Sequence, residues 1–164
     1  MTTHVLRPLI QGIKKGEMRS LAQAISILED NAPLKDRLLT KLRSVRRALN
    51  GGFSIGITGS AGSGKSTLIA ALAKMMRRDR KKVAVIAVDP TSPKTGGAFL
   101  GDRIRMQELA EDPGVFIRSM ASRGARGGVS RAAKDTAQLF LKAGYEFVLI
   151  ETVGAGQLDY EVTR

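Results

Sequence analysis

The stretch "GITGSAGSGKSTL", Gly56–Leu68, sets four glycines among the nine residues from Gly56 to Gly64 and follows them with Lys65, Ser66 and Thr67. Within it, "GSAGSGKS", Gly59–Ser66, satisfies the G-x-x-x-x-G-K-[ST] pattern of a phosphate-binding loop. The pattern carries meaning only between a strand and a helix, and both flanks qualify. "FSIGIT", Phe53–Thr58, reads as a strand, and Ser66–Arg78 reads as a helix. Glycines let the backbone turn its N–H groups inward around an anion, where a Cβ would collide. The helix start adds unpaired N–H groups and the positive pole of the helix dipole. The expected nucleotide contacts are Gly59, Ser60, Ala61, Gly62, Ser63, Gly64, Lys65, Ser66 and Thr67. Lys65 is expected to reach the β and γ phosphates, Ser66 to ligate Mg²⁺ through its hydroxyl, and Thr67 to touch the α phosphate.

The rest of the chain is read for what such a loop needs. Residues 1–50 read as a helical segment: Leu21, Ile25 and Leu28 follow a helical period, as do Leu38, Leu42, Val45 and Leu49 beyond "NAP". Gly51 and Gly52 close it. Residues 51–164 then alternate short β-branched runs with helical windows, the pattern of βαβ units around a parallel sheet. "VAVIAV", Val83–Val88, "VFIRS", Val115–Ser119, and "FVLIE", Phe147–Glu151, are the further strands, with helices expected around Asp102–Ala110 and Ser130–Ala143. The fold class is α/β: a three-layer sandwich with a mostly parallel sheet, preceded by the helical segment.

Ligands of such sheets collect at the carboxyl ends of the strands. Asp89 and Glu151 end apolar runs there, and Asp102 lies in the connecting stretch "GGAFLGDRIRM". Together with Ser66 these three form the candidate Mg²⁺ set, since the hard cation takes oxygen ligands and keeps several waters. For Asp102 a helix N-cap is an equal reading. Lys65, Asp89 and Glu151 are the candidate catalytic residues. Gly154, completing "ETVG", could present its N–H to a γ phosphate, and "TSPKTGGAFLGD" has the glycine and polar content of a switch loop.

Composition narrows the class further. The 164-residue chain contains no cysteine, which removes thiolate metal sites, disulfides and cysteine nucleophiles, and its one histidine, His4, cannot build a histidine site. No apolar run approaches the roughly 20 residues of a membrane span, and the N-terminus has no signal-peptide pattern, so the chain reads as cytoplasmic. A formal net charge of +12 favours polyanionic ligands without choosing among them. The densest basic cluster, Lys74–Lys82, reads as a helix end with cations at the negative dipole pole. Aromatic residues make up only 4%, which poorly supports a base-stacking nucleic-acid surface.

At the level of wording, "GITGSAGSGKSTLIAAL", "VAVIAVDPTSPKTGGAFLGDRIRM", "FIRSMASRGARGGVSRA" and "GYEFVLIETVGAGQ" resemble the P-loop GTPases that chaperone methylmalonyl-CoA mutase. That family also carries the label of lysine/arginine/ornithine transport ATPases. The resemblance runs from about residue 15 to Gln157, and the ExxG of Glu151–Gly154, in place of DxxG, is characteristic of this branch. It implies binding and slow hydrolysis of GTP with Mg²⁺, coupled to cobalamin delivery to, or protection of, a cobalamin-dependent acyl-CoA mutase. By position it makes Lys65, Ser66 and Thr67 phosphate and metal contacts, and Asp89, Asp102 and Glu151 the acidic cluster around metal and water. Arg105 is a candidate for transition-state charge, or a surface cation.

After "ETVGAGQ" the chain reads "LDYEVTR" and departs from the family, whose pattern continues with further strands, an N-K-x-D guanine-reading segment and a dimerisation arm. The expectation is a truncated chain that holds the phosphate half of the site, lacks the arm of the family's homodimer and leaves Phe53–Thr58 as an exposed sheet edge. Two other functions stay open: an ATP-dependent kinase tied to amino-acid transport, and a non-catalytic nucleic-acid binder.

Overall fold

The computed structural model describes residues 3–30, 33–45, 51–60, 62–89, 107–121 and 131–152. Four strands, β1 (Phe53–Ile57), β2 (Val83–Asp89), β3 (Val115–Ala121) and β4 (Phe147–Thr152), form one sheet in the order β1-β4-β2-β3. All three pairings are parallel. Parallel neighbours require crossovers, and helices supply them: α4 (Lys65–Arg78) follows β1, the short α5 (Gln107–Ala110) precedes β3, and α6 (Arg131–Lys142) precedes β4. Before the sheet come α1 (Thr3–Lys15), α2 (Met18–Glu29) and α3 (Lys35–Arg43).

The period-2 alternation of strand side chains sorts the core into two layers. Ala84, Ile86 and Val88 of β2, Phe116 and Met120 of β3, and Val148 and Ile150 of β4 pack with apolar residues of α1, α2, α3 and α6. The intervening Val83, Val85, Val115 and Leu149 pack under Ile69, Ala73 and Met76 of α4 and under Leu109 of α5. The result is a three-layer α/β/α sandwich. The expected periodicities reappear as buried faces: Leu21, Ile25 and Leu28 on α2, and Leu38 and Leu42 on α3. On the first face, the rings of Phe116 and Tyr145 lie 5.0 and 5.1 Å from that of the fully buried Phe140.

Polar ties lock the layers. Arg118 on β3 donates to Glu29 at the end of α2, and Lys142 Nζ donates to the Val45 carbonyl at 2.6 Å. At the far end of α4, Arg77 Nε donates to both oxygens of Asp112 at 2.9–3.0 Å, and a terminal nitrogen donates to the Lys81 carbonyl at 2.7 Å. Lys81 Nζ meets Glu146 at 2.8 Å. The basic cluster of Lys74–Lys82 is therefore a helix end, as its composition indicates, and two of its cations also clamp neighbouring turns.

The edge strand β1 differs from the others. Among the described residues it pairs only with β4, and its residues are exposed along most of its length, Phe53 at 65% and Ile55 at 37%. This is the exposed edge expected of the strand that leads into the phosphate loop. The loop hangs from it.

Candidate nucleotide site

Register sets the site. Ile57, the last residue of β1, lies opposite Glu151 on β4, and Glu151 lies opposite Ala87 on β2. The phosphate loop thus leaves β1 at the level where Glu151 stands on the adjacent strand. Chain positions far apart meet here because parallel crossovers stack strand ends on one edge of the sheet.

The backbone of the loop takes the form that glycine permits. Gly59, Gly62 and Gly64 have φ of 153°, 78° and 87°, in the region that side chains disfavour, and a Cβ on Gly59 would also press to 3.1 Å from Ser63 Oγ. Gly64 caps α4 without any side-chain hydrogen bond, and the first intrahelical donor of that turn is Leu68 N–H, to the Gly64 carbonyl at 2.9 Å. The start of α4 therefore has no side chain plugging it, and its dipole faces the loop.

Lys65 and Ser66 are both held in place. Lys65 Nζ folds back over its own loop and donates to the carbonyls of Gly59 and Ser60, each at 2.9 Å. Those carbonyls occupy the ammonium with neutral acceptors, which a phosphate oxygen would replace with a charged and stronger one. Ser66 Oγ donates to Glu151 Oε1 at 2.8 Å, and Glu151 is buried, with 7% of its surface exposed. A hydroxyl and a carboxylate side by side at the helix start are two oxygen donors of the kind Mg²⁺ takes, and a metal bound with phosphates needs only one or two protein ligands. The donor set fits that cation. Among the described residues no group of three His, Cys, Asp or Glu side chains converges.

The other expected residues divide by whether the structure describes them. Gly59, Ser60, Gly62, Ser63 and Gly64 form the loop, and Thr67 is exposed on the first turn of α4. Asp89 is the last residue of β2, paired with Ala121, two positions past Ala87; its side chain lies outside the described residues. Ala61, Asp102, Arg105, Gly154 and the segment "TSPKTGGAFLGD" also lie outside them. Sequence reading missed the direct bond between Ser66 and Glu151 and the folded-back lysine. The first depends on β1–β4 register, for which the chain offers no local signal. No helix among the described residues is long and apolar enough to cross a membrane.

Comparison with known proteins agrees with this geometry. A 156-residue stretch is 43% identical to the GTPase ArgK of Escherichia coli, covering 94% of this chain and 47% of that protein. The mitochondrial methylmalonic aciduria type A homolog of Caenorhabditis elegans is 39% identical over 170 residues, covering 96% of this chain and 43% of that protein. A crystal structure of an LAO/AO transport system kinase superposes with a TM-score of 0.75 at 32% identity, covering 99% of this chain and 47% of the other. The chain spans about half the length of these relatives. Residues 21–164 match the family described as methylmalonyl Co-A mutase-associated GTPase MeaB, and with the loop, the parallel sheet and the Ser66–Glu151 pair in place, the chain belongs to that family.

Proposed function

We propose that this chain carries the phosphate-binding half of a GTP-hydrolysing protein that works in the cytoplasm with a cobalamin-dependent acyl-CoA mutase. The observation that carries the reading is the Ser66–Glu151 hydrogen bond at the mouth of a complete phosphate loop. The mutase enters through the family's description and through the methylmalonic aciduria name of the nematode relative.

In this reading the loop N–H groups from Gly59 to Thr67 hold the α and β phosphates, and Lys65 leaves the Gly59 and Ser60 carbonyls for the β and γ oxygens. Ser66 and Glu151, with Asp89 and Asp102, would hold Mg²⁺, which would supply positive charge to offset that of the phosphates. Glu151 and Asp89 orient water toward the γ phosphorus, and Gly154 offers its N–H to the γ oxygens. The water oxygen bonds to that phosphorus as the bond to the β–γ bridging oxygen breaks, giving GDP and phosphate. Positioning and electrostatics carry phosphoryl transfer, so turnover is slow until a partner completes the site.

Isothermal titration with GTP, ATP and their diphosphates, with and without Mg²⁺, tests the site. Binding that requires the triphosphate and Mg²⁺ is the expected result; binding indifferent to both would overturn the reading. Pull-down of a purified cobalamin-dependent mutase in GTP, GDP and nucleotide-free forms tests the partner. Capture that is equal in all three forms, or absent in all three, removes it. The transport-kinase name of the structural relative gives a second reading, a phosphotransferase, which predicts label passing from γ-labelled ATP to an acceptor other than water.

A further inference from the structure

We propose that the groove between α1 and α3, on the sheet face opposite α4, is a binding site for a small soluble anionic amphiphile: a short acyl or alkyl chain ending in phosphate or carboxylate. The groove encloses about 530 Å³. That lies within the range of small-molecule sites, roughly 300–1,000 Å³. Its apolar lining comes from Leu6, Pro8 and Ile10 of α1, and its cations are Arg7 and Lys14 of α1 and Lys41 of α3. Among the described residues no acidic side chain lines it.

The groove combines an apolar floor with a cationic rim. Leu6 is buried at 3% exposure and Ile10 is half-buried, whereas Arg7, Lys14 and Lys41 are exposed. Among the described residues none of these three side chains forms an ion pair, although Lys15, Lys35, Arg77, Lys81 and Arg118 all do. Cations without an acidic partner among the described residues, contributed by two helices around an apolar floor, suit a ligand that brings the negative charge and a short apolar body together.

Packing on the other side of α1 holds the groove open. Gly12 sits so close to α2 that a Cβ there would fall 1.9 Å from Ser20 Oγ, and Leu9 and Ile13 are buried in the core cluster. Seated this tightly on α2, α1 cannot roll toward α3 to close the space without losing that contact. The site is independent of the nucleotide reading, since α4 and its loop lie across the sheet.

The test is a titration of the full 164-residue chain with hexyl and octyl phosphate, followed by amide chemical shifts. Inorganic phosphate, octyl glucoside and vesicles of phosphatidylcholine and phosphatidylserine in equal parts serve as comparison probes. The expected result is saturable binding that moves α1 and α3 amides, tightens roughly fourfold per added methylene, and weakens at least tenfold in the Arg7→Gln/Lys14→Gln/Lys41→Gln variant. All three positions are exposed, so the variant keeps its core. Equal binding of inorganic phosphate, equal binding of the glucoside, response to vesicles alone, or no response in α1 and α3 would each overturn the proposal.

Discussion

Ser66 and Glu151 stand 85 positions apart in the chain and share a hydrogen bond of 2.8 Å between a helix N-terminus and the end of a buried strand. The bond couples α4 to β4 at the point where a metal would come between them. A ligand that takes both oxygens would exchange this contact for its own.

Ser66→Ala removes one oxygen and leaves the carboxylate in place. The expected outcome is a loss of the Mg²⁺ enhancement of nucleotide affinity, on the order of 1.5–3 kcal/mol or roughly 10- to 150-fold. Titration in Mg²⁺ and in EDTA checks it, because affinity in EDTA should be unchanged. Glu151→Gln keeps an acceptor for Ser66 but removes the charge. It should lower single-turnover hydrolysis by about a hundredfold or more while triphosphate binding persists.

Lys65→Ala should weaken triphosphate binding more than diphosphate binding, because the ammonium is expected at the β and γ oxygens. In the ligand-free chain the substitution also deletes the bonds to the Gly59 and Ser60 carbonyls. Both are local to the loop, so the thermal midpoint should move little. A large fall in midpoint without a binding defect would assign Lys65 a structural role instead.

The pH profile of stability should fall at both ends. Hydrogen bonds from Arg77 and the Gly114 N–H hold the Asp112 carboxyl below its ordinary 3.8, and Lys81 holds Glu146 below 4.5. A carboxyl with a depressed folded value stabilises the fold above its unfolded value, and that contribution is lost as pH drops below about 4.5. At the alkaline end Glu146 raises Lys81 above 10.5, and burial pushes the Tyr145 hydroxyl up to about 12. Both groups hold their protons more tightly when folded, so stability declines as pH rises through 10.0, the ordinary value of the phenol, and beyond. Denaturant midpoints across pH check this, and Arg77→Gln should flatten the acid limb.

Two phenylalanines, Phe140 on α6 and Phe53 on β1, should behave oppositely. Phe140 is fully buried between Phe116 and Tyr145, and Phe140→Ala should cost about 3–5 kcal/mol. Phe53 on β1 is 65% exposed with a ring stacked 6.2 Å from Phe147, and Phe53→Thr should cost less than about 1 kcal/mol while reducing self-association in sedimentation.

Much of the fold was legible because its signals are local. The loop glycines, the alternation in "VAVIAV" and the period of Leu21, Ile25 and Leu28 each identify an element within a few residues. Strand limits moved by one or two positions, β3 running to Ala121 and β4 to Thr152, since strand ends depend on neighbours. At the loop the sequence names residues without naming their contacts. That a carboxylate would end β4 follows from "FVLIE"; that it would meet Ser66 follows from β4 lying between β1 and β2, which no local pattern encodes. Arg77 likewise reads as one of many cations on a helix end until Asp112 is brought beside it by the turn before β3.

The bare flank of β1 has a thermodynamic consequence for the loop it carries. Among the described residues no strand covers that strand's second side, so its opening free energy should be the lowest in the sheet and its hydrogen exchange the fastest. A phosphate loop anchored to the least protected strand is linked to whatever that strand touches. Any chain segment that pairs with β1 should tighten nucleotide binding, and by reciprocity nucleotide should tighten the pairing by the same factor.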